Sequence, residues 1–296
     1  MGLRMTKLQF LTEPSPPRET ALAVIPGIRR VVADNPGPMT YHGTNTYLIE
    51  TTQGCLVVDP GPHMPAHLSA VLHAAGPIAA ILITHSHSDH TGGLAWLRAQ
   101  THAPVHAFGP RTNPDHRLAN GDFVHGWRVL HTPGHLDDHI CLLREDGVVL
   151  TADLVMGWSS SIVDPVEGDM AAYIASLDRL LREHATLYLP GHGPVIHEPH
   201  AHATALRQHR LDREAEIHAC LHAGVGEVVR IVARLYPTLP LAMHTAAARN
   251  VLAHLQKLSR EGAAIPTASG WAIPTPSSAP AAPPPDAAMP AQQGQD

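Results

Sequence analysis

Thr84-His85-Ser86-His87-Ser88-Asp89-His90-Thr91-Gly92-Gly93 is the stretch on which the reading of this chain turns. It follows Ile78-Ala79-Ala80-Ile81-Leu82-Ile83, a short unbroken apolar run of the kind a strand buried on both faces requires. After it, Leu94, Trp96 and Leu97 in the segment from Gly92 to Gln100 predict the start of a helix. Three imidazoles and a carboxylate therefore gather where a buried strand leaves its sheet, which is where open α/β sheets place their ligands. His85 and His87, two apart in extended chain, can point the same way. Asp89 and His90 come after the turn and can face a second point. Zinc and similar divalent metals take imidazole nitrogen and carboxylate oxygen, and this arrangement offers both to two adjacent ions.

Working outward, the composition is that of an ordinary globular chain. Its 296 residues suffice for one large domain and a small one, with 44% hydrophobic residues and a net charge of −6. Aromatics are only 4%, so the core must be built from Leu, Val, Ile and Ala. Mild acidity gives no nucleic-acid footprint over the whole chain. Cys55, Cys141 and Cys220 are odd in number and scattered, which fits buried small hydrophobes rather than a disulfide framework. No signal-length apolar core stands at the N-terminus, and no 18-residue apolar span occurs, so no membrane partner is expected and the chain reads as cytoplasmic.

Residues 1–20 are polar and proline-bearing and read as a loosely held lead-in. Strands are predicted at Ile28–Val32, Asn45–Glu50 and Cys55–Asp59, with turn chemistry in Asp34–Pro38 and Gly43–Asn45. A helix is predicted over Pro65–Ala75, with proline at its start. Short strands continue at Val105–Phe108, Arg128–His131, Ile140–Leu143 and Val148–Thr151. Ala171, Ile174, Leu177, Leu180 and Leu181 then lie at helical spacing behind Asp169, a predicted N-cap. From about Thr204 the character changes. Helical stretches at 204–223, 226–235 and 241–261, followed by a hairpin across 263–273, have the layout of a winged helix. The domains expected are 1–203, 204–273 and a disordered Pro/Ala-rich tail, 274–296.

Three later positions put a His or Asp where a strand gives way to a turn. They are His135 in Thr132-Pro133-Gly134-His135, Asp153 in Leu150-Thr151-Ala152-Asp153, and His192 in Pro190-Gly191-His192-Gly193. They complete a count that chemistry sets: two metals sharing one carboxylate need roughly six or seven protein ligands, with room for a bridging water. Other histidines fit no such pattern. His197, His200, His202 and His209 cluster late and read as solvated surface, while His139 lies near His135, where it could stand behind a ligand but is not counted in the site.

In these residues and their order the chain resembles the metallo-β-lactamase-fold hydrolase superfamily over about residues 22–200. The resemblance implies an αββα sandwich followed by a small helical winged-helix-like domain. It implies that His85, His87 and His135 hold one metal, that Asp89, His90 and His192 hold the other, and that Asp153 bridges them. Asp59 would be the carboxylate that orients a ligand histidine. Asn35–Thr40, Gly43–Tyr47 and Met156–Ser160, with the C-terminal helices, resemble more closely the β-lactamase-like protein 2 group, which includes an endoribonuclease acting on single-stranded RNA.

The expectation is a zinc-dependent hydrolase with two Zn²⁺, iron or manganese being able to replace them. A hydroxide between the metals would attack, with Asp89 or Asp153 taking a proton. Thr44, Asn45, Trp158, Ser159 and Ser160 are candidates for lining the cleft. The substrate is single-stranded RNA or, alternatively, a small ester or thioester of the kind glyoxalase II hydrolyses. True β-lactamases carry export signals and lack a carboxylate equivalent to Asp153. A metal-sensing regulator reading DNA is disfavoured, because Leu241 to Arg260 carries only Arg249, Lys257 and Arg260 as basic residues. The helical module is expected to cover the active-site mouth or to pair two subunits in a homodimer.

Overall fold

In the computed structural model, which describes residues 8–274, two sheets lie face to face. The first has seven strands in sequential order: β1 (Leu22–Ile25), β2 (Ile28–Val32), β3 (Asn45–Thr51), β4 (Gly54–Val58), β5 (Ile78–Ile83), β6 (Val105–Ala107) and β7 (His116–Arg117). The second contains β8 (Phe123–Val124), β9 (Trp127–His131), β10 (Ile140–Arg144), β11 (Val148–Ala152) and β12 (Leu187–Pro190), again in order along the sheet. β5 alternates sides as an apolar run buried on both faces must. Ala80 and Leu82 join Val129, Ile140, Leu142 and Leu150 between the sheets. Ile81 and Ile83 face the opposite way, onto α1 (Pro65–Ala75) and α3 (Leu94–Thr101); α2 is the single turn Ser88–Thr91 between them.

The outer face of the second sheet is covered by α4 (Met170–Leu181). Asp169 caps it, its carboxylate accepting from the Ala172 N–H at 3.0 Å. Met170, Tyr173, Ile174, Leu177 and Leu180 form its buried stripe. The layers are therefore α/β/β/α. The C-terminal part is a winged helix: α5 (Pro199–His222), α6 (Val228–Leu235), α7 (His244–Arg260) and the hairpin of β13 (Ile265–Thr267) and β14 (Gly270–Ala272).

Two expectations change. α5 starts at Pro199, not near 204, because proline at the first helical position costs no hydrogen bond. It therefore runs unbroken between two cores: Ala203 and Leu206 pack with α4, and Ile217, Cys220 and Leu221 pack with α6 and α7. The described part of the lead-in is also held in place. Leu8 and Leu11 pack on the sandwich, Leu11 N–H donates to Gly157 O at 2.9 Å, and Glu13 pairs with the buried Arg30. Most of the tail, from 275 on, lies outside the described residues. Cys55, Cys141 and Cys220 are all buried free thiols.

Candidate metal centre and its cavity

Both sheets send strand ends to one edge, and Ile140 N–H donates across to Thr84 O at 2.9 Å, stitching them there. Seven side chains converge on this edge. His85 and His87 follow β5, and Asp89 and His90 sit on α2. His135 follows β9, Asp153 follows β11, and His192 follows β12. A pairing irregularity between Leu150 and Ala152, and a left-handed φ of 43° at Ala152, turn the chain just before Asp153. A non-glycine residue in that conformation costs about 1–2 kcal/mol, which the surrounding sheet must offset.

The distances divide the seven into two adjacent groups, each with its donor atoms within 4.8 Å of one another. One is His85, His87, His135 and Asp153; the other is Asp89, His90 and His192. Asp153 touches both: its Oδ2 lies 3.7 Å from His135 Nε2 and 3.4 Å from His192 Nε2, and its Oδ1 lies 3.5 Å from His90 Nε2. Asp89 Oδ2 is 3.3 Å from His192 Nε2.

The donor set fits a pair of divalent cations. Asp153 Oδ1 is buried without a hydrogen-bond partner. His90 Nε2 and His192 Nε2 face each other at 3.3 Å, as do His135 Nε2 and His87 Nδ1 at 2.9 Å. Neutral imidazoles that meet nitrogen to nitrogen need a proton or a cation between them. The far nitrogens are held as metal-bound imidazoles require. His90 Nδ1 contacts Asp59 Oδ2 at 2.9 Å, His135 Nδ1 contacts Ile162 O at 2.6 Å, and His192 Nδ1 contacts Gly43 O at 3.3 Å. Asp59 is itself fixed by the Thr84 N–H and hydroxyl, which donate at 2.8 and 2.6 Å.

Burial and charge oppose each other here. Burial lowers the His85 pKa, and lowers that of His135 to about 4, so both stay neutral and ready to ligate. Burial also opposes charge on His90 and His192, but the carboxylates outweigh it. Asp89, Asp153 and Asp59 raise His90, and Asp153 above all raises His192 to about 9. For Asp89 and Asp153 burial favours the neutral acid, yet His90 and His192 pull both below the ordinary carboxylate range. Positive charge is thus drawn to the centre, where bound cations would take the protons' place.

Space is as constrained as charge. A Cβ on Gly191 would come within 2.4 Å of Asp153 Oδ1 and 2.8 Å of His90 Cε1, so glycine beside His192 lets the two later loops close on the cluster.

Above the cluster opens a cavity of about 560 Å³. Trp158, Ser159 and Ser160 line it as expected from the sequence, with Trp158 stacked on Tyr41 at 5.1 Å. Thr44 and Asn45 stand behind it, fully buried. The Asn45 amide donates to Pro190 O and Gly193 O at 2.9 and 3.0 Å, bracing the His192 loop, and the Thr44 hydroxyl lies 3.5 Å from Asp89. The sequence reading missed His139, whose Nε2 accepts from the Asp153 N–H at 3.2 Å. It also missed most of the wall: Phe10, Met39, Met156, Tyr236, Leu239 and Met243, with Ala246 and Ala247. Met243, Ala246, Ala247 and Asn250 recur at helical spacing, a signal that reads equally as ordinary core. Of the late histidines, His197 and His200 are exposed, but His202 is buried against Met156 O at 3.1 Å and His209 lines the cavity. The helix that carries them packs on the sandwich through Ala203 and Leu206, which takes both rings out of bulk solvent.

One wall residue is unusual. Arg210 on α5 is 2% exposed; one guanidinium nitrogen donates to Ser161 O, its carbon sits 5.1 Å from the Tyr173 ring, and its Nε has no partner. An uncompensated buried charge costs several kcal/mol, and a cation–π contact offsets about 2 kcal/mol at most.

With this geometry established, comparison with known proteins is informative. A family model for the metallo-beta-lactamase superfamily matches residues 39–112 and 103–192, and one for the beta-lactamase associated winged helix domain matches residues 228–271. The chain belongs to the metallo-beta-lactamase superfamily. It is 32% identical over 275 residues to a beta-lactamase-like protein 2 homolog of Drosophila melanogaster, covering 81% of this chain and 93% of that one. It is 31% identical to an atrochrysone carboxyl ACP thioesterase of Aspergillus chevalieri, covering 76% and 78%. A beta-lactamase domain protein from Burkholderia ambifaria shares the fold, with a TM-score of 0.75 at 23% identity over 88% of this chain and 95% of that one. This metallo-beta-lactamase-fold chain is a hydrolase by its family and its His/Asp cluster. Among the described residues no helix is long and apolar enough to cross a membrane.

Proposed function

We propose that this metallo-beta-lactamase-fold protein hydrolyses carboxylic esters or thioesters that carry a sizeable apolar group, using two divalent metals. The observation that carries the substrate class is the cavity. Its floor is the His/Asp cluster, and its wall is largely apolar, with Met39, Met156, Trp158, Leu239 and Met243. Among the charged groups above the floor, Arg210 is a single buried cation. Arg249 is paired with Asp164 at 3.3 Å, and exposed Glu167 adds negative charge, a poor track for a phosphate backbone. The similarity to a carboxyl ACP thioesterase supports the same reading.

His85, His87 and His135 would hold one cation, Asp89, His90 and His192 the other, and Asp153 both. Cations there supply Lewis acidity and bring the pKa of a water toward neutrality. Zinc is the first expectation, and iron shares the donor set: TTHA1623, 31% identical over 57% of this chain with a TM-score of 0.50, was solved in a di-iron-bound form. Water adds to the acyl carbon, the C–S or C–O bond breaks, and the leaving thiol or alcohol takes up a proton. Asp89, with a 30% exposed carboxylate beside the cavity floor, is placed to carry that proton. Residues up to about 203 would do the chemistry and the 204–273 module would cover the mouth.

The test is metal content, followed on the same sample by 4-nitrophenyl esters, S-lactoylglutathione, single-stranded RNA and nitrocefin, with and without chelator. About two metals per chain with chelator-sensitive ester or thioester turnover is expected. Chelator-sensitive RNA cleavage without ester turnover would keep the metal centre and replace the substrate.

A further inference from the structure

Among the described residues, the cavity wall contains a cation left without a counter-ion. α5 places three arginines one turn apart: Arg207 pairs with Asp178, Arg213 pairs with Glu216 at 2.8 Å, and Arg210 between them enters no ion pair among the described residues. It is also the most deeply buried of the three and the one that lines the cavity. The Ser161 carbonyl takes one of its N–H groups and the Tyr173 ring supports its face, so the guanidinium is fixed in place while its Nε stays without an acceptor. His209, the neighbouring residue on the wall, is a neutral imidazole: burial and the adjacent arginines lower its pKa to about 4, so Arg210 is the single positive charge at this point of the wall. Through Ser161 the arginine is linked to the metal floor, because the Ser161 hydroxyl donates to Asp153 O.

We propose that Arg210 is an anion subsite for the substrate, and that the preferred ester or thioester carries a carboxylate separate from its scissile carbonyl. The proposal rests on the hydrolase reading above and narrows it. A single guanidinium in a mostly apolar wall matches one negative charge, which a carboxylate supplies and a doubly charged phosphate exceeds. Because Arg210 is rigidly held, the spacing between carboxylate and acyl carbon selects the substrate. A flexible surface lysine would tolerate many lengths; this residue favours one.

The test uses 4-nitrophenyl monoesters of the straight-chain dicarboxylic acids from succinic to suberic, each compared with the neutral ester of equal chain length. Expected is a kcat/KM advantage of about tenfold or more for the acidic ester at one chain length, carried mainly by KM. In Arg210→Met that acidic-over-neutral ratio collapses toward one, and in Arg210→Lys part of it survives. A second measurement does not depend on turnover: calorimetry of the metal-free full chain with glutarate, suberate and inorganic phosphate. Dicarboxylate binding that is lost in Arg210→Met supports the subsite even if no ester is turned over. Chelator-sensitive turnover of neutral and acidic esters at equal rates would overturn the subsite and leave the hydrolase reading standing. Phosphate binding more tightly than either dicarboxylate would overturn the assignment to carboxylate.

Discussion

The floor of the cavity is made by seven polar side chains from four strand ends and one helical turn, all fully or mostly buried and cross-linked by hydrogen bonds. Its far wall is made by apolar side chains from the leading segment, the turn after α6 and the start of α7, several of them half-exposed. Most floor residues are fixed by a partner behind them, as Asp59 fixes His90 and His139 fixes the Asp153 backbone. The apolar wall residues are fixed by packing, while Arg210 and Asn250 are also held by hydrogen bonds. Rearranging the floor disturbs charge compensation in a dry site and is expected to be all-or-none, whereas changing the wall alters fit and is expected to be graded.

The largest effect should come from removing the residue that touches both groups. Asp153→Ala is expected to lower turnover by about 10³-fold or more and to reduce bound metal, measured by kinetics and elemental analysis on one preparation. Equal activity in that variant would erase the distinction between floor and wall. Behind the floor, His67 is buried on α1 near Asp59, and burial lowers its pKa to about 4. The unfolded chain takes its proton near pH 6.5 and the native state only near 4, so stability is full above 6.5 and falls as pH drops through that window. His67→Gln should flatten this acid limb by about 3 kcal/mol, read from urea midpoints against pH. Asp59→Asn cannot accept from both Thr84 donors and His90, and should weaken metal affinity by about 10–100-fold in a competition titration. On the wall, Met243→Glu should raise KM for a neutral apolar ester by about tenfold with metal content retained.

The same contrast explains what could be read in the chain beforehand. His85, His87, Asp89 and His90 were legible because metal chemistry confines donor types to a few residues at a strand end. His135 and His192 were legible because each sits at a strand end beside glycine, and Asp153 because it ends an apolar hairpin. Asp59 came from the family resemblance, and the structure gives its physical reason: a ligand imidazole needs an acceptor behind it. His139 and Arg210 were not legible, since a role played through one backbone N–H, or through the lack of a partner, leaves no spacing in the sequence. Met243, Ala246 and Ala247 share a stripe that suits a helical core equally well. Thr44 and Asn45 sit in turn chemistry that looks like a surface loop, but their side chains brace the His192 segment from behind. The lead-in reads as loose by composition, and only the sandwich surface shows why Leu8 and Leu11 are pinned.

α5 belongs to both cores, and this has a consequence for how the family member can change over evolutionary time. One straight helix of 24 residues works as an indexing shaft between floor and wall. Inserting or deleting a single residue along it would turn the wall by about 100° and shift it by about 1.5 Å, carrying Tyr236, Leu239 and Met243 away from the metal edge at once. Apolar substitutions on the wall can change fit by degrees, but the length of this helix between Arg210 and Ile217 cannot change without moving the whole wall.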